Sequence, residues 1–416
     1  MQTWTSLSIP EYKLASQGVQ ITSKPRIWNT ETQAINEITE NEIKLYVCGI
    51  TPYDATHMGH AATYLTFDLL QRLLLIQGRK VSYVQNITDV DDPLLERAIR
   101  DNIDWRDLAT KEIDLFKDDM SALRVIPPHH YIGAVEAIPL VIKAIEKLMT
   151  KNSVYKIEND LYFDISSDPE FGSRSHLPLE QMIEIFAQRG GDPTLAGKRN
   201  KLDCLLWRVH REGEPSWASP FGAGRPGWHI ECTAIALEYL GGAVTIQGGG
   251  SDLIFPHHEM CAAQGEVMND VAFAKYFVHT GMIGYQGEKM SKSKGNLVFV
   301  SKLREAGIDS MAIRLALLAN HYRSDREWDD DLLQNATNRL ERWRKGFAKP
   351  EGPEITETIS HVVDALNNDL DTSKALAHID AWVETAIVDS GSDKNSKLAN
   401  TGTLARFIDA VLGVAI

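Results

Sequence analysis

The stretch Lys44-Leu-Tyr-Val-Cys-Gly-Ile-Thr-Pro-Tyr-Asp-Ala-Thr-His-Met-Gly-His60 decides the fold. Its first six residues are a short apolar run closed by glycine, which reads as a buried strand entering a turn. From Gly59 to about Ile76, Ala62, Leu65, Leu69, Leu70 and Leu73 recur at helical spacing, and Gln77-Gly78-Arg79 stops that helix. Val81-Ser-Tyr-Val-Gln-Asn-Ile87 reads as a second strand. Strand, helix and strand joined by a short crossover form the unit of a parallel α/β sheet. No G-x-G-x-x-G follows the first strand, so the dinucleotide fingerprint is missing.

Outward from this unit, residues 1–43 are polar and mixed and read as an arm with a short strand or two. One helix is predicted over 93–123. Residues 125–225 combine a helix at 134–150 with an apolar strand at 161–165 and many turns, which suggests an insertion in the sheet domain. The α/β signal returns with a strand at 243–247, a Gly248–Asp252 turn, a helix from Pro256 and a strand at 275–283. After Asn296 the chain reads as helices at 299–321, 329–348, 355–369, 372–389 and 400–414. The expected organisation is therefore a first half-domain (1–124), an inserted segment (125–225), a second half-domain (226–296), a helical region (297–345) and a short helical bundle (346–416).

The 416 residues are 43% hydrophobic and 24% charged, a composition that argues against disorder. The net charge of −14 weakens any reading in which the whole surface grips nucleic acid. Half of it lies in residues 351–416, with 11 acidic and 4 basic side chains. Cys48, Cys204, Cys232 and Cys261 are too few for a disulfide framework, and the first residues lack a secretory pattern. No apolar run nears the roughly 20 residues that span a bilayer. A cytoplasmic protein with no membrane partner is expected.

Two segments carry chemistry. His57 and His60 would stand at a helix N-terminus, where free N–H groups and the dipole favour phosphate. They would either donate to a phosphoryl group or simply cap and pack. Glu288-Lys-Met-Ser-Lys-Ser-Lys-Gly-Asn296 places Lys289 and Lys292 in a loop bracketed by Gly287 and Gly295, either a triphosphate clamp or a solvated turn. Asp89, Asp91 and Asp92 read as a turn and N-cap before Pro93.

His57-Met-Gly-His60 and Lys289-Met-Ser-Lys-Ser293, some 230 residues apart, together resemble the signature pair of class I aminoacyl-tRNA synthetases. Tyr46-Val-Cys-Gly49, Gln85-Asn-Ile-Thr-Asp-Val-Asp-Asp92, Gly227-Trp-His-Ile-Glu-Cys232 and Gly248-Gly-Gly-Ser-Asp-Leu-Ile-Phe-Pro-His-His-Glu259 are similar to the cysteinyl branch. The resemblance implies a Rossmann-like α/β catalytic domain with an inserted α+β segment and a C-terminal helical domain. It implies aminoacyl-adenylate formation from ATP with Mg2+, using His57, His60, Lys289 and Lys292. It also implies one zinc ion on Cys48, Cys232 and His257. An open position on that ion would take the cysteine thiolate and reject the serine hydroxyl. The substrate would be oriented by Cys48, Gly49, Ile50, Thr51 and Trp228. Thr63, Asn86, Ile87, Thr88, Gly250, Ser251, Asp252 and Ile283 would line the adenylate pocket. One position departs from the pattern: where that branch carries a glutamate zinc ligand, this chain has Cys261, either a fourth ligand or a core residue.

Three further features resemble a paralogous family, the cysteine ligases of mycothiol formation. They are Ile50-Thr-Pro within the first motif, Ala62 after it, and Gln188-Arg-Gly-Gly-Asp-Pro193. This resemblance implies L-cysteine, ATP and glucosaminyl-inositol as substrates, no nucleic acid partner and a monomer. The alternative is a cysteinyl-tRNA synthetase charging tRNA(Cys), which would need an RNA-gripping tail. The acidic C-terminal helices and a chain that ends at 416 speak against it. Arg339, Arg342, Arg344 and Lys345 read as a solvated face. A catalytically dead relative would tolerate loss of a motif residue, yet all four are present.

Overall fold

The computed structural model describes residues 1–5, 8–12, 14, 18–19, 21, 23–290, 296–388 and 399–416. An N-terminal arm buries Trp4 edge-on against Phe116 and Tyr131. The hairpin β1 (Arg26–Asn29) and β2 (Ala34–Glu37) follows. Next come β3 (Glu42–Val47), α1 (Met58–Ile76) and β4 (Lys80–Ile87), the strand–helix–strand unit read from the sequence. The single helix expected over 93–123 is two, α2 (Asp92–Asp101) and α3 (Trp105–Ala122). Asn102 takes a left-handed backbone that ends the first, and the Asp104 carboxylate caps the second by accepting from the Arg106 N–H.

Within the 125–225 segment, β5 (His130–Gly133) joins the main sheet and α4 (Ala134–Thr150) leads away from it. β6 (Val154–Ile157), β7 (Asp160–Phe163), α5 (Leu179–Gln188), β8 (Cys204–Val209) and β9 (Gly224–Pro226) follow. The four strands pair antiparallel in chain order. α6 (Trp228–Leu240), β10 (Val244–Gly250), α7 (Glu259–Asn269) and β11 (Ala274–Thr280) return to the main sheet. Gly248–Gly250, readable from sequence as a turn or as a close approach to ribose or adenine, finish a strand.

The strand predicted at 275–283 is also two, β11 and then β12 (Ile283–Tyr285), which pairs with β13 (Glu288–Lys289). The 299–321 helix is split into α8 (Val300–Glu305) and α9 (Ser310–Leu318), because Asp309 caps a fresh helix at Met311 N. β14 (Arg326–Trp328), α10 (Asp330–Gly346), β15 (Glu351–Gly352), α11 (Thr356–Asn367), α12 (Thr372–Val388), β16 (Ala399–Asn400) and α13 (Thr401–Leu412) complete the described chain.

The main sheet runs β11-β10-β3-β4-β5, all parallel. The chain builds outward from β3 in one direction, then returns to build from β10 in the other. The carboxyl ends of β3 and β10 thus flank a switch point, where open α/β sheets leave a crevice for ligands. Fourteen of the 19 residues of α1 are buried. One side covers the sheet and the other meets the C-terminal helices, so α1 and α9–α13 share one apolar core. Polar groups enclosed at this junction must be paired. The Asp68 carboxylate accepts from Arg72 Nε (2.8 Å), from the Ile126 N–H (2.8 Å) and from Arg314. Arg72 donates onward to the carbonyls of Arg124 and Asp409, and Arg314 to those of Leu123 and Leu412. Burial would raise the Asp68 carboxyl, but the two guanidinium groups hold it below its ordinary range. No helix is long and apolar enough to cross a membrane among the described residues.

Candidate active site

The switch point opens into a cavity of about 770 Å3. Cys48 and Gly49 enter it from the end of β3, and Asn86 and Thr88 from the end of β4. Gly49 is required by proximity: a Cβ there would lie 1.6 Å from the Asn86 carbonyl oxygen. The Asn86 side chain fixes the two strand ends together. Its Oδ1 accepts from Gly49 N (2.8 Å) and Tyr46 Oη (3.1 Å), and its Nδ2 donates to Thr88 Oγ1 (3.2 Å).

The other expected residues mostly gather on the same walls. Ile50, Thr51, His57, His60, Thr63, Trp228, Cys232, Gly250, Asp252, His257 and Ile283 all line the cavity. Two do not. Ile87 lies between Asn86 and Thr88 on a strand, so alternation turns its side chain into the apolar core, where it is fully buried. Ser251 begins a tight turn beside the cavity and is not on its wall.

His57 caps α1 and its Nδ1 accepts from Gly59 N (3.1 Å). An accepting Nδ1 carries no proton, so the ring's proton sits on Nε2 as a donor. The His60 ring stacks on it at 3.8 Å. Burial, with His57 adjacent, pulls His60 well below its ordinary value and keeps it neutral, and its Nδ1 is buried without a partner among the described residues. Both imidazoles can serve as neutral donors to a ligand.

The lysine motif is only partly described. Lys289 ends β13, while Lys292 lies outside the described residues. The chain on either side reaches the cavity, with Met290 and Leu297 on its wall. Past Asn296 the chain is stitched to the histidine motif. Met58 N donates to Val298 O (2.9 Å), Val300 N donates to Thr56 O (3.0 Å), and His57 faces Phe299 in an antiparallel bridge.

At the cavity floor, one donor atom each from Cys48, Cys232 and His257 lie within 4.8 Å of one another, all buried. Burial and the neighbouring Cys232 push the Cys48 thiol up, whereas the hydrogen bond from Cys48 holds Cys232 well below a free thiol. His257 lies against Cys261 and Cys232 and is raised to about 10, their attraction outweighing its burial. Two sulfurs and one imidazole, close and enclosed, suit a soft, tetrahedral metal such as zinc. Cys261, one turn beyond His257, stands apart from this trio. Its Sγ donates to the His229 carbonyl (3.4 Å) and lies 3.8 Å from His257 Nε2.

Sequence reasoning passed over a second row of imidazoles. His258 Nε2 is 3.2 Å from Cys48 Sγ, His258 Nδ1 is 2.7 Å from His279 Nε2, and His279 Nδ1 is 2.7 Å from Thr30 Oγ1. Burial pulls His258 well down and His279 to about 3, so both are neutral. Each neutral ring carries one proton, so the row links the Thr30 hydroxyl to the Cys48 sulfur through three hydrogen bonds that run in one common direction. The paired His257-His258 was visible as a signal, but its reach to His279 depends on β10 and β11 lying side by side. Trp228 stacks on His257 at 4.3 Å and holds that ring.

Residues 34–338 match the family described as tRNA synthetases class I (C), catalytic domain. Among curated proteins, the L-cysteine:1D-myo-inositol 2-amino-2-deoxy-alpha-D-glucopyranoside ligase of Gordonia bronchialis is 53% identical over 422 residues, covering 100% of both chains. The like-named protein of Streptomyces coelicolor is 52% identical over 419 residues, again covering 100% of both. Among solved structures, Mycobacterium tuberculosis methionyl-tRNA synthetase in complex with methionyl-adenylate superposes with a TM-score of 0.64 at 15% identity, covering 90% of this chain and 88% of that one. At that identity the likeness speaks for the fold. The chain belongs to the class I tRNA synthetase (C) family, in the group of relatives named L-cysteine:1D-myo-inositol 2-amino-2-deoxy-alpha-D-glucopyranoside ligase.

Proposed function

We propose that this protein joins L-cysteine to the amino group of glucosaminyl-inositol at the expense of ATP, through cysteinyl-AMP, releasing pyrophosphate and then AMP. The observation that carries this reading is full-length likeness at about half identity to ligases of that name. The cavity supports it by bringing two imidazole donors and a Cys/Cys/His trio to one crevice.

Cys48, Cys232 and His257 would hold zinc. Bound there, the ion supplies a soft Lewis-acid position that accepts a thiolate far more readily than a hydroxyl. Trp228 packs on His257 and, with Gly49 to Thr51, shapes the space around the amino acid. The cysteine carboxylate attacks the α-phosphorus of ATP, which is bound with Mg2+. His57 Nε2–H and His60 donate to the phosphoryl oxygens as charge builds, and Lys289 and Lys292 hold the departing pyrophosphate. Thr63, Asn86, Thr88, Gly250, Asp252 and Ile283 enclose the adenylate. The glucosamine amine then attacks the acyl carbon. The C–N bond forms, the C–O bond to phosphate breaks, AMP leaves with that electron pair, and the nitrogen's surplus proton passes to a phosphoryl oxygen of the departing AMP. A cytoplasmic monomer without a nucleic acid partner completes the reading. Three of the four basic residues of α10 support that exclusion, being paired with acids: Arg339 with Asp380, Arg342 with Glu384 and Arg344 with Asp309.

The test supplies purified protein with ATP, cysteine and either glucosaminyl-inositol or tRNA, and follows AMP. Release with the amino sugar alone is expected. Release with tRNA alone overturns the reading, and absence of cysteine-dependent ATP–pyrophosphate exchange removes the adenylate step.

A further inference from the structure

The cavity does not end at the adenylate walls. It extends under the inserted segment, where Tyr162 of β7, Phe186 of α5, the Gln188–Asp192 stretch, Lys198 and Leu205 of β8 line it. Apart from the Gln188–Pro193 stretch these residues belong to no motif named above, yet they share the space with Cys48 and His57.

Two cationic donors on this wall are held in place. Lys198 Nζ lies over the faces of Phe186 (4.9 Å) and Tyr162 (5.5 Å), and its side chain is half-buried. Arg189 donates from Nη1 to the Phe255 carbonyl (2.9 Å). The chain between them is pressed onto the same aromatic ring. Gly191 N donates to Phe186 O (2.9 Å), and a Cβ on Gly191 would lie 2.5 Å from the Phe186 ring. Only glycine lets the backbone lie that close.

Asp91, at the start of α2, lines another wall of the same cavity. One of its oxygens caps the helix by accepting from Asp92 N (2.8 Å). The two walls are tied across the cavity by Arg225 of β9. This guanidinium is buried, pairs with Asp92 and donates to Glu214 (3.0 Å). A cavity lined by Lys198, Arg189 and Asp91 mixes signs. That arrangement suits a neutral polyol carrying one ammonium better than a polyanion, which would meet the carboxylate.

We propose that this extension is the acceptor subsite. Lys198 and Arg189 would donate to ring hydroxyls of an amino sugar, and Asp91 would receive its ammonium and point the nitrogen toward the adenylate. The proposal rests on the ligase reading above and assigns the half of the site that reading leaves blank. Preorganised donors lose little entropy on binding, so each contact is effective.

The test uses the full-length zinc-loaded enzyme and two substitutions chosen to preserve the fold. Lys198→Met keeps the apolar stem over the rings, and Asp91→Asn keeps the helix cap. For each, the KM for glucosaminyl-inositol is measured by AMP release, and the first half-reaction by cysteine-dependent ATP–pyrophosphate exchange. Each KM is expected to rise roughly tenfold or more, the size of a lost charged hydrogen bond. Exchange is expected to stay within about twofold, and inorganic phosphate should not compete with the sugar. An unchanged acceptor KM, or an equal fall in exchange, overturns the subsite. Competition by phosphate would make the wall an anion site and overturn it too. Wild-type enzyme that exchanges pyrophosphate but releases no AMP with glucosaminyl-inositol overturns the ligase reading itself.

Discussion

Two enclosed clusters of charge and polarity lie at opposite ends of the β3–α1 segment, and they are built on opposite rules. At the C-terminal side of α1, the Asp68 carboxylate is saturated by Arg72, Arg314 and a backbone N–H, and both guanidinium groups go on to donate to carbonyls. At the N-terminal side, the cysteine–histidine trio is as deeply buried and the His57–His60 pair partly so, but the groups are incomplete. His60 Nδ1 has no partner among the described residues, and the donor atoms of Cys48, Cys232 and His257 crowd within 4.8 Å of one another. A saturated cluster holds a structure together; an unsaturated one is kept that way at a cost in stability and is completed by ligands. The contrast separates architecture from chemistry without appeal to any motif.

The comparison breaks first at Asp68. Asp68→Ala strands two buried guanidinium groups and is expected to cost about 3–5 kcal/mol of unfolding free energy, measured by denaturant titration. A loss under about 1 kcal/mol would mean that the junction is not structural. Cys232→Ser should do the reverse. Bound zinc, counted by atomic emission, falls from one per chain to near none. Cysteine-dependent pyrophosphate exchange drops at least about a hundredfold, while the metal-free protein unfolds within about 1 kcal/mol of its parent. His57→Asn keeps the helix cap and removes the donor, so exchange should slow by about 10²–10³ in kcat. A KM effect for ATP with kcat intact would recast His57 as a binding group.

A smaller effect comes from Asp89, whose carboxylate accepts from Val135 N (2.9 Å) and whose burial raises it to about 6. The folded state therefore binds a proton more tightly than the unfolded state does. This group's contribution is most favourable below about pH 4 and is lost as pH rises to about 6, on the order of 2 kcal/mol. Asp89→Asn should flatten that part of the stability–pH curve, and an unaltered slope would contradict the assignment. Least of all, Arg342→Ala removes a pair at 3.9 Å between half-exposed side chains. It should change stability by less than about 0.5 kcal/mol and leave turnover alone.

Much of this was legible from residues 44–60 and their surroundings, because one buried strand, one helix stop and two spaced motifs each carry a local signal. The histidine pair and the trio came together where expected. Ile87 was misplaced because a run of three adjacent pocket residues ignores strand alternation. The split helices were legible in principle: Asn102-Ile-Asp104 and Gly307-Ile-Asp309 each pair a helix stop with an N-cap, but strong apolar periodicity on both sides masked the break. The His258–His279–Thr30 row was not legible, since it depends on which strands lie side by side, and of the Lys198 wall only the Gln188–Pro193 stretch stood out in the sequence.

The bridge between His57 and Phe299 carries one more consequence. It makes the histidine motif and the segment leaving the lysine motif a single mechanical part. If the lysine motif holds phosphate as proposed, thermodynamic reciprocity makes any coupling to the His57 imidazole mutual, each changing the other by the same factor. Nucleotide occupancy and readiness of the imidazole would then be one equilibrium, read from two ends.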